Sequence, residues 1–175
     1  MTKNTTKTKL VCKGFIDESP ETQNALLDKM GRKRNKERTQ MTKDQLLSLW
    51  NADNWEVMSC GVYFTAHRAD ADKELHINCN DYTEAEILAM PFWERLAQEL
   101  DELDRQAHEI LQKEFPDDED IPGLALTDIT IDKSGCYGTF SLCYDTGDSP
   151  AGELYLNVSF DEQFVPSPKV GYDTF

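Results

Sequence analysis

Apolar residues recur at steps of three and four along the middle of the chain. They are Trp93, Leu96, Leu100, Leu103, Ala107 and Ile110. An α-helix turns once in about 3.6 residues, so this spacing places them on one face. Pro91 suits a first turn, and Phe115-Pro116 ends the pattern because proline has no amide hydrogen to donate. The spacing therefore predicts one long amphipathic helix that ends near Glu114.

Two shorter helices are predicted before the long one. The first begins at the Ser-Pro-Glu sequence of residues 19–21, which supplies an N-cap, a proline at the first helical position and an early carboxylate. It ends at Gly31. The second begins at Thr42, because Thr42 and Gln45 have the spacing of a capping box.

The apolar period then changes to two, which is typical of β-strands. Residues 57–66 and 75–79 are predicted to form a hairpin. The apolar residues of both strands must share one sheet face, and the register that achieves this places Cys60 opposite Cys79.

Three further strands are predicted after the long helix, at 127–131, 136–144 and 153–160. The turns between them are short and rich in glycine and aspartate, so an antiparallel meander is expected. The last segment, 164–175, contains two prolines and is expected to lie as a tail over the sheet edge.

The predicted fold class is α+β. An antiparallel sheet, built from the hairpin and the three-strand meander, is covered by the long amphipathic helix, and the two shorter helices are N-terminal. Neither a repeat nor a linker divides the chain. Residues 10–175 are therefore expected to form a single domain after a flexible N-terminus at 1–9.

The chain is strongly acidic, and the acidity is uneven. Its 175 residues contain 18 Lys and Arg against 33 Asp and Glu, a net charge of −15. Residues 1–50 carry a net charge of +5, and residues 51–175 carry a net charge of −20. This charge argues against nucleic acid or an anionic membrane as the partner of the whole molecule and favours a basic protein.

A basic run at 32–38 contributes five cations to the positively charged N-terminal part of the chain. They suffice for a few phosphate contacts of a nucleic-acid arm, but the run contains no aromatic residue for base stacking. The favoured alternative is a solvated linker, or a segment that lies against the protein's own acidic surface.

Familiar catalytic motifs do not occur in the sequence, neither phosphate-binding glycine loops nor the His-Glu-x-x-His and Gly-x-Ser-x-Gly patterns. A zinc site formed by His76 and Cys79 with Cys60 is disfavoured, because residues 76 and 79 of one regular strand face opposite sides. The five cysteines are expected to be reduced core thiols. The sequence predicts no enzyme activity, no metal and no cofactor.

The location expected from the sequence is cytoplasmic. No stretch approaches the ~18 consecutive apolar residues of a membrane span. Residues 1–9 contain cations and hydroxyls but not the apolar core of a secretory signal.

Carboxylates of the long helix and of the loop after it form the candidate binding surface. They lie off the apolar stripe and are expected to face solvent, and neighbouring cations neutralise only part of them. Crowded like charges repel one another without helping the fold, which is a reason to expect a partner. A solvated, solubilising face is the open alternative, because long helices are commonly acidic. The residues predicted to contact that partner are Asp101, Glu102, Asp104, Asp117, Asp118 and Asp120.

Residues 152–161, Gly-Glu-Leu-Tyr-Leu-Asn-Val-Ser-Phe-Asp, are followed by a proline-containing tail. This pattern, with the small size and the acidity, resembles the immunity proteins of bacterial toxin systems, including contact-dependent growth inhibition. The resemblance implies tight one-to-one binding of a cognate toxin, frequently a basic nuclease, in the cell that makes it. Carboxylates would cover the toxin's active-site groove, and apolar or aromatic anchors would supply most of the affinity.

Two other functions remain open. A DNA mimic would use the carboxylates in place of phosphates and would inhibit or regulate many DNA-binding proteins rather than one. A non-catalytic adaptor would join a larger complex through a sheet edge or through the basic run at 32–38.

Overall fold

The computed structural model describes residues 40–68, 74–150 and 152–174. Gln40–Phe175 forms one compact unit. The predicted first helix and the basic run lie outside the described residues, as does the N-terminus at 1–9.

Three α-helices are described: α1 (Lys43–Trp50), α2 (Glu84–Leu88) and α3 (Trp93–Glu114). The predicted capping box of α1 is confirmed. The Thr42 hydroxyl accepts a hydrogen bond from the Gln45 amide, and the Gln45 side chain accepts one from the Thr42 amide. The predicted long helix is α3. Among the described residues, no helix is long and apolar enough to cross a membrane.

Seven strands form one sheet, in the order β1-β2-β3-β4-β5-β6-β7. They are β1 (Ala52–Met58), β2 (Gly61–Ala66), β3 (Leu75–Asn80), β4 (Leu126–Asp132), β5 (Phe140–Ser149), β6 (Gly152–Phe160) and β7 (Pro166–Thr174). Neighbouring strands are antiparallel, except that β3 and β4 run parallel. Between β3 and β4 the chain passes through α2, α3 and a short 3₁₀ turn at Ile121–Gly123.

The predicted fold class is wrong, because the unit is a mostly β, mixed seven-strand sheet with one long helix. The predicted antiparallel sheet, made of a hairpin and a three-strand meander, is therefore not what the structure has. The prediction of two N-terminal helices is not matched either, because α1 is the one helix that precedes the sheet among the described residues. The connection between β3 and β4 explains the difference. A strand that re-enters the sheet after a helical crossover pairs in parallel with the strand it left.

The predicted hairpin is confirmed as the antiparallel pair β2–β3. Its first strand and its register are wrong, because residues 57–66 contain a turn between β1 and β2. Gly61 begins β2 with a φ of 147°, and a Cβ atom there would lie 2.3 Å from the carbonyl oxygen of Cys79. Only glycine fits this approach. Val62 therefore pairs with Cys79, and Cys60 does not.

Burial divides the described cysteines into two pairs. Cys79 and Cys143 are buried, and burial raises the pKa of each thiol to about 12. Cys60 and Cys136 are exposed, so the expectation that every thiol lies in the core is wrong for these two.

The C-terminal segment forms a strand rather than a tail. β7 pairs antiparallel with β6 and is an edge of the described sheet. Pro166 and Pro168 are tolerated there, because one side of an edge strand makes no ladder hydrogen bonds.

One apolar core lies between α3 and the sheet. The buried positions of α3 are Trp93, Leu96, Leu100, Leu103, Ala107 and Leu111. Alternate residues of the strands, such as Phe64, Ile77 and Leu142, are buried in the same core. The intervening strand residues face the other side of the sheet, where polar side chains predominate.

Candidate binding surfaces

Asp101 and Glu102 lie on the exposed side of α3, as predicted. Glu102 Oε1 lies 2.6 Å from Arg105 Nη2, and Arg105 also pairs with Glu109. The hydrogen bonds from Arg105 and Gln106 lower the pKa of Glu102 to about 2. This part of the helix therefore carries two carboxylates around one guanidinium and retains a net negative charge.

Asp101 forms an ion pair that the sequence analysis missed. Its Oδ1 atom lies 3.0 Å from Nη2 of Arg68, which follows β2. The Asp101 side chain is nevertheless 84% exposed, whereas that of Arg68 is 19% exposed. A partner can reach Asp101 from solvent, while Arg68 fixes its position.

Asp104 does not face outward, in contrast to the sequence-based expectation. Its side chain is 21% exposed, and its Oδ1 accepts a hydrogen bond of 2.7 Å from the Tyr144 hydroxyl. Burial alone raises the pKa of Asp104, but hydrogen bonds from His108 and Tyr144 and the nearby cations bring the net pKa below its usual value. The position beside the apolar stripe, with His108 one turn later, was the available sequence signal.

His108 is held as a cation by acceptors on both sides of its ring. Nδ1 lies 3.0 Å from the backbone oxygen of Asp104, and Nε2 lies 3.0 Å from that of Leu124. The side-chain hydrogen bond to Asp104 raises the pKa of His108 to about 9, although burial opposes the shift. Both ring N–H groups are used within the fold, so this Asp-His-Tyr cluster stabilises the contact between α3 and β5.

Asp117, Asp118 and Asp120 lie in the exposed acidic loop, which we define as residues 117–120. Oδ1 of Asp118 accepts a hydrogen bond of 3.0 Å from the Asp120 amide. Among the described residues, none of these carboxylates forms an ion pair. Within the part of the chain that the structure describes, the acidic loop thus presents its charges to solvent without a cation to compensate them.

The predicted contact residues therefore fall into three groups. Asp101 and Glu102 are exposed on the helix, three aspartates are exposed in the acidic loop, and Asp104 is part of the core edge. From Asp101 to the end of α3 at Glu114 the helix rises about 20 Å at 1.5 Å per residue. The exposed carboxylates of α3 and those of the acidic loop, which begins three residues after the helix ends, are the groups that we call the acidic surface.

The opposite face of the sheet carries a polar pocket that the sequence analysis did not predict. Strand pairing places Asp128, Cys143, Asn157 and Gly171 side by side across β4, β5, β6 and β7. Asp173 pairs with Tyr155 in a neighbouring row. These residues come from four strands, so only the strand order brings them together.

Gly171 and Asn157 lie behind one wall of the polar pocket, where Asn157 positions the lining residue Asp173. A Cβ atom on Gly171 would lie 2.2 Å from Oδ1 of Asn157, so glycine leaves room for the amide. The Asn157 amide then donates to Oδ2 of Asp173 at 2.9 Å, and the Tyr137 hydroxyl donates to the same oxygen at 3.1 Å. Asn157 is 7% exposed, so this wall is preorganised by packing as well as by hydrogen bonds.

The polar pocket has a volume of about 290 Å³. Its lining includes Asn78, Asp128, Tyr137, Tyr155 and Asp173. Burial and the charge of Asp173 raise the pKa of Tyr137 to about 12. Burial, followed by the charges of Asp145 and Asp128, raises the pKa of Tyr155. The tyrosines therefore remain protonated in a region of negative potential.

A wider groove of about 740 Å³ lies beyond the carboxyl ends of the parallel strands β3 and β4. Its polar rim includes Glu86 and Lys133, whose Oε1 and Nζ atoms are 2.6 Å apart. The ammonium of Lys133 also lies 5.5 Å from the ring centroid of Tyr82. The groove thus contains its own cation, whereas the polar pocket is lined without Lys, Arg or His among the described residues.

Comparisons of this chain with protein-family models, with curated proteins and with solved structures find no match. The acidic surface and the polar pocket are therefore the features of the molecule that indicate a function.

Proposed function

We propose that this protein is an acidic binding protein that neutralises a cognate basic toxin, a nuclease in the first instance, by one-to-one complex formation over the toxin's active-site groove. The observation that carries the proposal is the acidic loop, whose exposed aspartates have no ion pair among the described residues. Repulsion among such charges disfavours the compact state. A cationic partner relieves it.

The exposed part of α3 extends the same surface. Glu102 and Glu109 share one arginine, and Asp101 remains 84% exposed beside Arg68. A nuclease holds phosphate groups in a cationic groove, and a rigid helix with an acidic loop at its end offers that groove negative charge in fixed positions. Long-range attraction would accelerate association, and the charge pattern would select the partner.

A DNA mimic is less well supported than a single-partner inhibitor. Arg105 lies between Glu102 and Glu109 and binds both, so the helix does not present an uninterrupted row of anions. A protein that binds DNA-binding proteins in general needs such a row, because the phosphate backbone supplies most non-specific affinity. A surface that carries both acidic groups and Arg105 is better suited to one partner with a complementary pattern of charges.

The proposed inhibitor acts in the cytoplasm of the cell that makes it, where it protects that cell. The test uses the cognate toxin, which the proposal expects to be a basic protein encoded next to this one. We expect a one-to-one complex by calorimetry, and growth rescue when both proteins are produced together. A neighbouring protein that is basic and toxic but neither binds nor is neutralised would overturn the proposal.

The electrostatic part is tested with a reversal variant, Asp117→Lys, Asp118→Lys and Asp120→Lys. Association with the toxin should slow by about tenfold or more at low salt, because steered association falls with the loss of charge complementarity. A matched control reverses three exposed carboxylates elsewhere, Glu56, Glu153 and Glu162. Equal slowing in both variants would show that only net charge matters and that the acidic loop is not the contact.

A further inference from the structure

The polar pocket holds two carboxylates, Asp128 and Asp173, whose hydrogen-bond donors among the described residues are all neutral. The Asn78 amide donates to Oδ1 of Asp128 at 3.0 Å. Oδ2 of Asp173 accepts hydrogen bonds from the Tyr137 hydroxyl and from the Asn157 amide. These bonds orient the carboxylates but add no positive charge, so the negative potential of the pocket is left uncompensated by the lining.

The pocket is small, half-buried and shaped before any ligand binds. At about 290 Å³ it lies at the lower end of the volumes that hold small ligands, so a side chain fits it better than a large cofactor. Thr130 and Ser141 are buried beside it, and their hydroxyls contact Cys143 and the Tyr137 carbonyl. Little rearrangement is needed to accept a guest, which lowers the entropic cost of binding.

We propose that the polar pocket is a binding site for a guanidinium group, presented by an arginine side chain of a partner protein. A guanidinium is planar, carries five N–H donors and pairs with carboxylates through two parallel hydrogen bonds. Its faces also stack on aromatic rings, which Tyr137 and Tyr155 provide in the lining. Arginine is enriched among the residues that dominate protein interfaces.

A metal ion fits the pocket less well. The lining contributes two carboxylates, and the described residues contain no group of three or more His, Cys, Asp or Glu arranged to hold a metal. A hard cation such as Ca²⁺ takes six to eight oxygen ligands and favours more carboxylates than this. An ammonium would satisfy the charge but lacks the planar fork of donors that pairs with carboxylates.

The test titrates N-acetyl-arginine methylamide into the ¹⁵N-labelled protein and follows the amide signals by NMR. Saturable shifts are expected at residues 128, 143, 155 and 173, with a millimolar dissociation constant. The citrulline analogue has the same shape without the charge and should produce no saturable shift. Equal binding of the citrulline analogue would overturn the proposal, as would shifts confined to α3.

Two further probes test the chemistry. The lysine analogue should bind about tenfold more weakly, because it lacks the bidentate geometry. Equal affinity would overturn the assignment to guanidinium. Calcium chloride should not shift these signals, and saturable calcium binding at the same residues would identify a metal site instead.

The variant Asp128→Asn keeps the size of the side chain and removes one charge. It should weaken arginine-analogue binding by about tenfold or more, since hydrogen bonds to charged groups are the stronger ones. The control Asp101→Asn should leave binding unchanged. The loop-reversal variant described above should also retain it, so failure of the toxin proposal and failure of the pocket proposal give different results. Unchanged binding by Asp128→Asn would overturn the pocket proposal. The citrulline analogue, the lysine analogue and calcium chloride test the same proposal on the unmodified protein, without a variant.

Discussion

Tyr144 on β5 donates its hydroxyl hydrogen to Oδ1 of Asp104 on α3 at 2.7 Å. Burial raises the pKa of Tyr144, so the phenol remains a donor. The Tyr144 ring also meets the His108 ring edge to face, with centroids 5.0 Å apart. A polar contact thus joins the long helix to the sheet at the edge of an apolar core.

The variant Tyr144→Phe should lower the free energy of unfolding by about 1–2 kcal/mol, because a partly buried carboxylate loses a donor. Urea denaturation measures the change. Tyr172→Phe is the matched control, since Tyr172 is 54% exposed, and it should change stability by less than about 0.5 kcal/mol. Equal effects of the two substitutions would contradict a role for the Asp104 contact.

Stability should also fall as the pH rises from 6.5 to about 9. The pKa of His108 is raised from 6.5 to about 9 in the folded protein, so the folded state binds the proton more tightly than the unfolded state. The stabilisation is complete below pH 6.5 and is lost as the pH passes through the folded-state pKa. Solvent screening at this half-buried site reduces the expected loss to about 1–2 kcal/mol.

Denaturation midpoints between pH 6 and pH 10 measure this loss. His108→Gln should be less stable near neutral pH and should flatten the pH dependence in this interval. The same slope in the variant and in the unmodified protein would show that another group controls it, with Asp104, Arg68 and Tyr144 as the neighbours to examine.

The spacing of apolar residues predicted α3, and the capping box at Thr42 predicted α1. Both signals are local, because they depend on residues only a few positions apart. Pairing between strands is not local. The parallel pairing of β3 with β4 depends on where α3 crosses the sheet, and the hairpin register depends on the close approach of Gly61 to the backbone of Cys79. The apolar residues of β1 were misleading because Val57 and Met58 are 58% and 51% exposed.

The candidate sites were predicted to different extents for the same reason. Exposed carboxylates next to an apolar stripe, such as Asp101 and Glu102, could be identified from helix periodicity. For Asp104 the sequence offered only its position beside the stripe, one turn before His108. Its contact with the Tyr144 hydroxyl could not be predicted, because Tyr144 lies on a strand forty residues later. The polar pocket joins Asn78 to Asp173 through the strand order, which the sequence pattern did not reveal.

Gly61→Ala should be strongly destabilising. The new Cβ atom would lie 2.3 Å from a backbone oxygen that cannot move without breaking the β2–β3 ladder, and φ is 147°. We expect a loss of about 2–4 kcal/mol or failure to fold. Gly123→Ala is the matched control, because nothing lies within 4 Å of the added atom. Similar stability of both variants would contradict the close approach.

Neutralising the acidic loop should leave the fold intact. Asp117→Asn, Asp118→Asn and Asp120→Asn remove like charges that have no ion pair among the described residues. The carboxamide oxygen introduced at position 118 can still accept the hydrogen bond from the backbone amide of residue 120. The denaturation midpoint should be unchanged or higher, since charge repulsion in a chain of net charge −15 falls.

Raising the salt concentration from about 0.01 M to about 0.15 M shortens the Debye length from about 30 Å to about 8 Å, so it should stabilise the unmodified protein more than this variant. Glu86→Gln is the contrast, because that carboxylate pairs with Lys133 at 2.6 Å and caps α2, and its loss should lower the midpoint. A loop variant as destabilised as Glu86→Gln would mean that the loop aspartates stabilise the fold, which removes the reason to assign them to a partner.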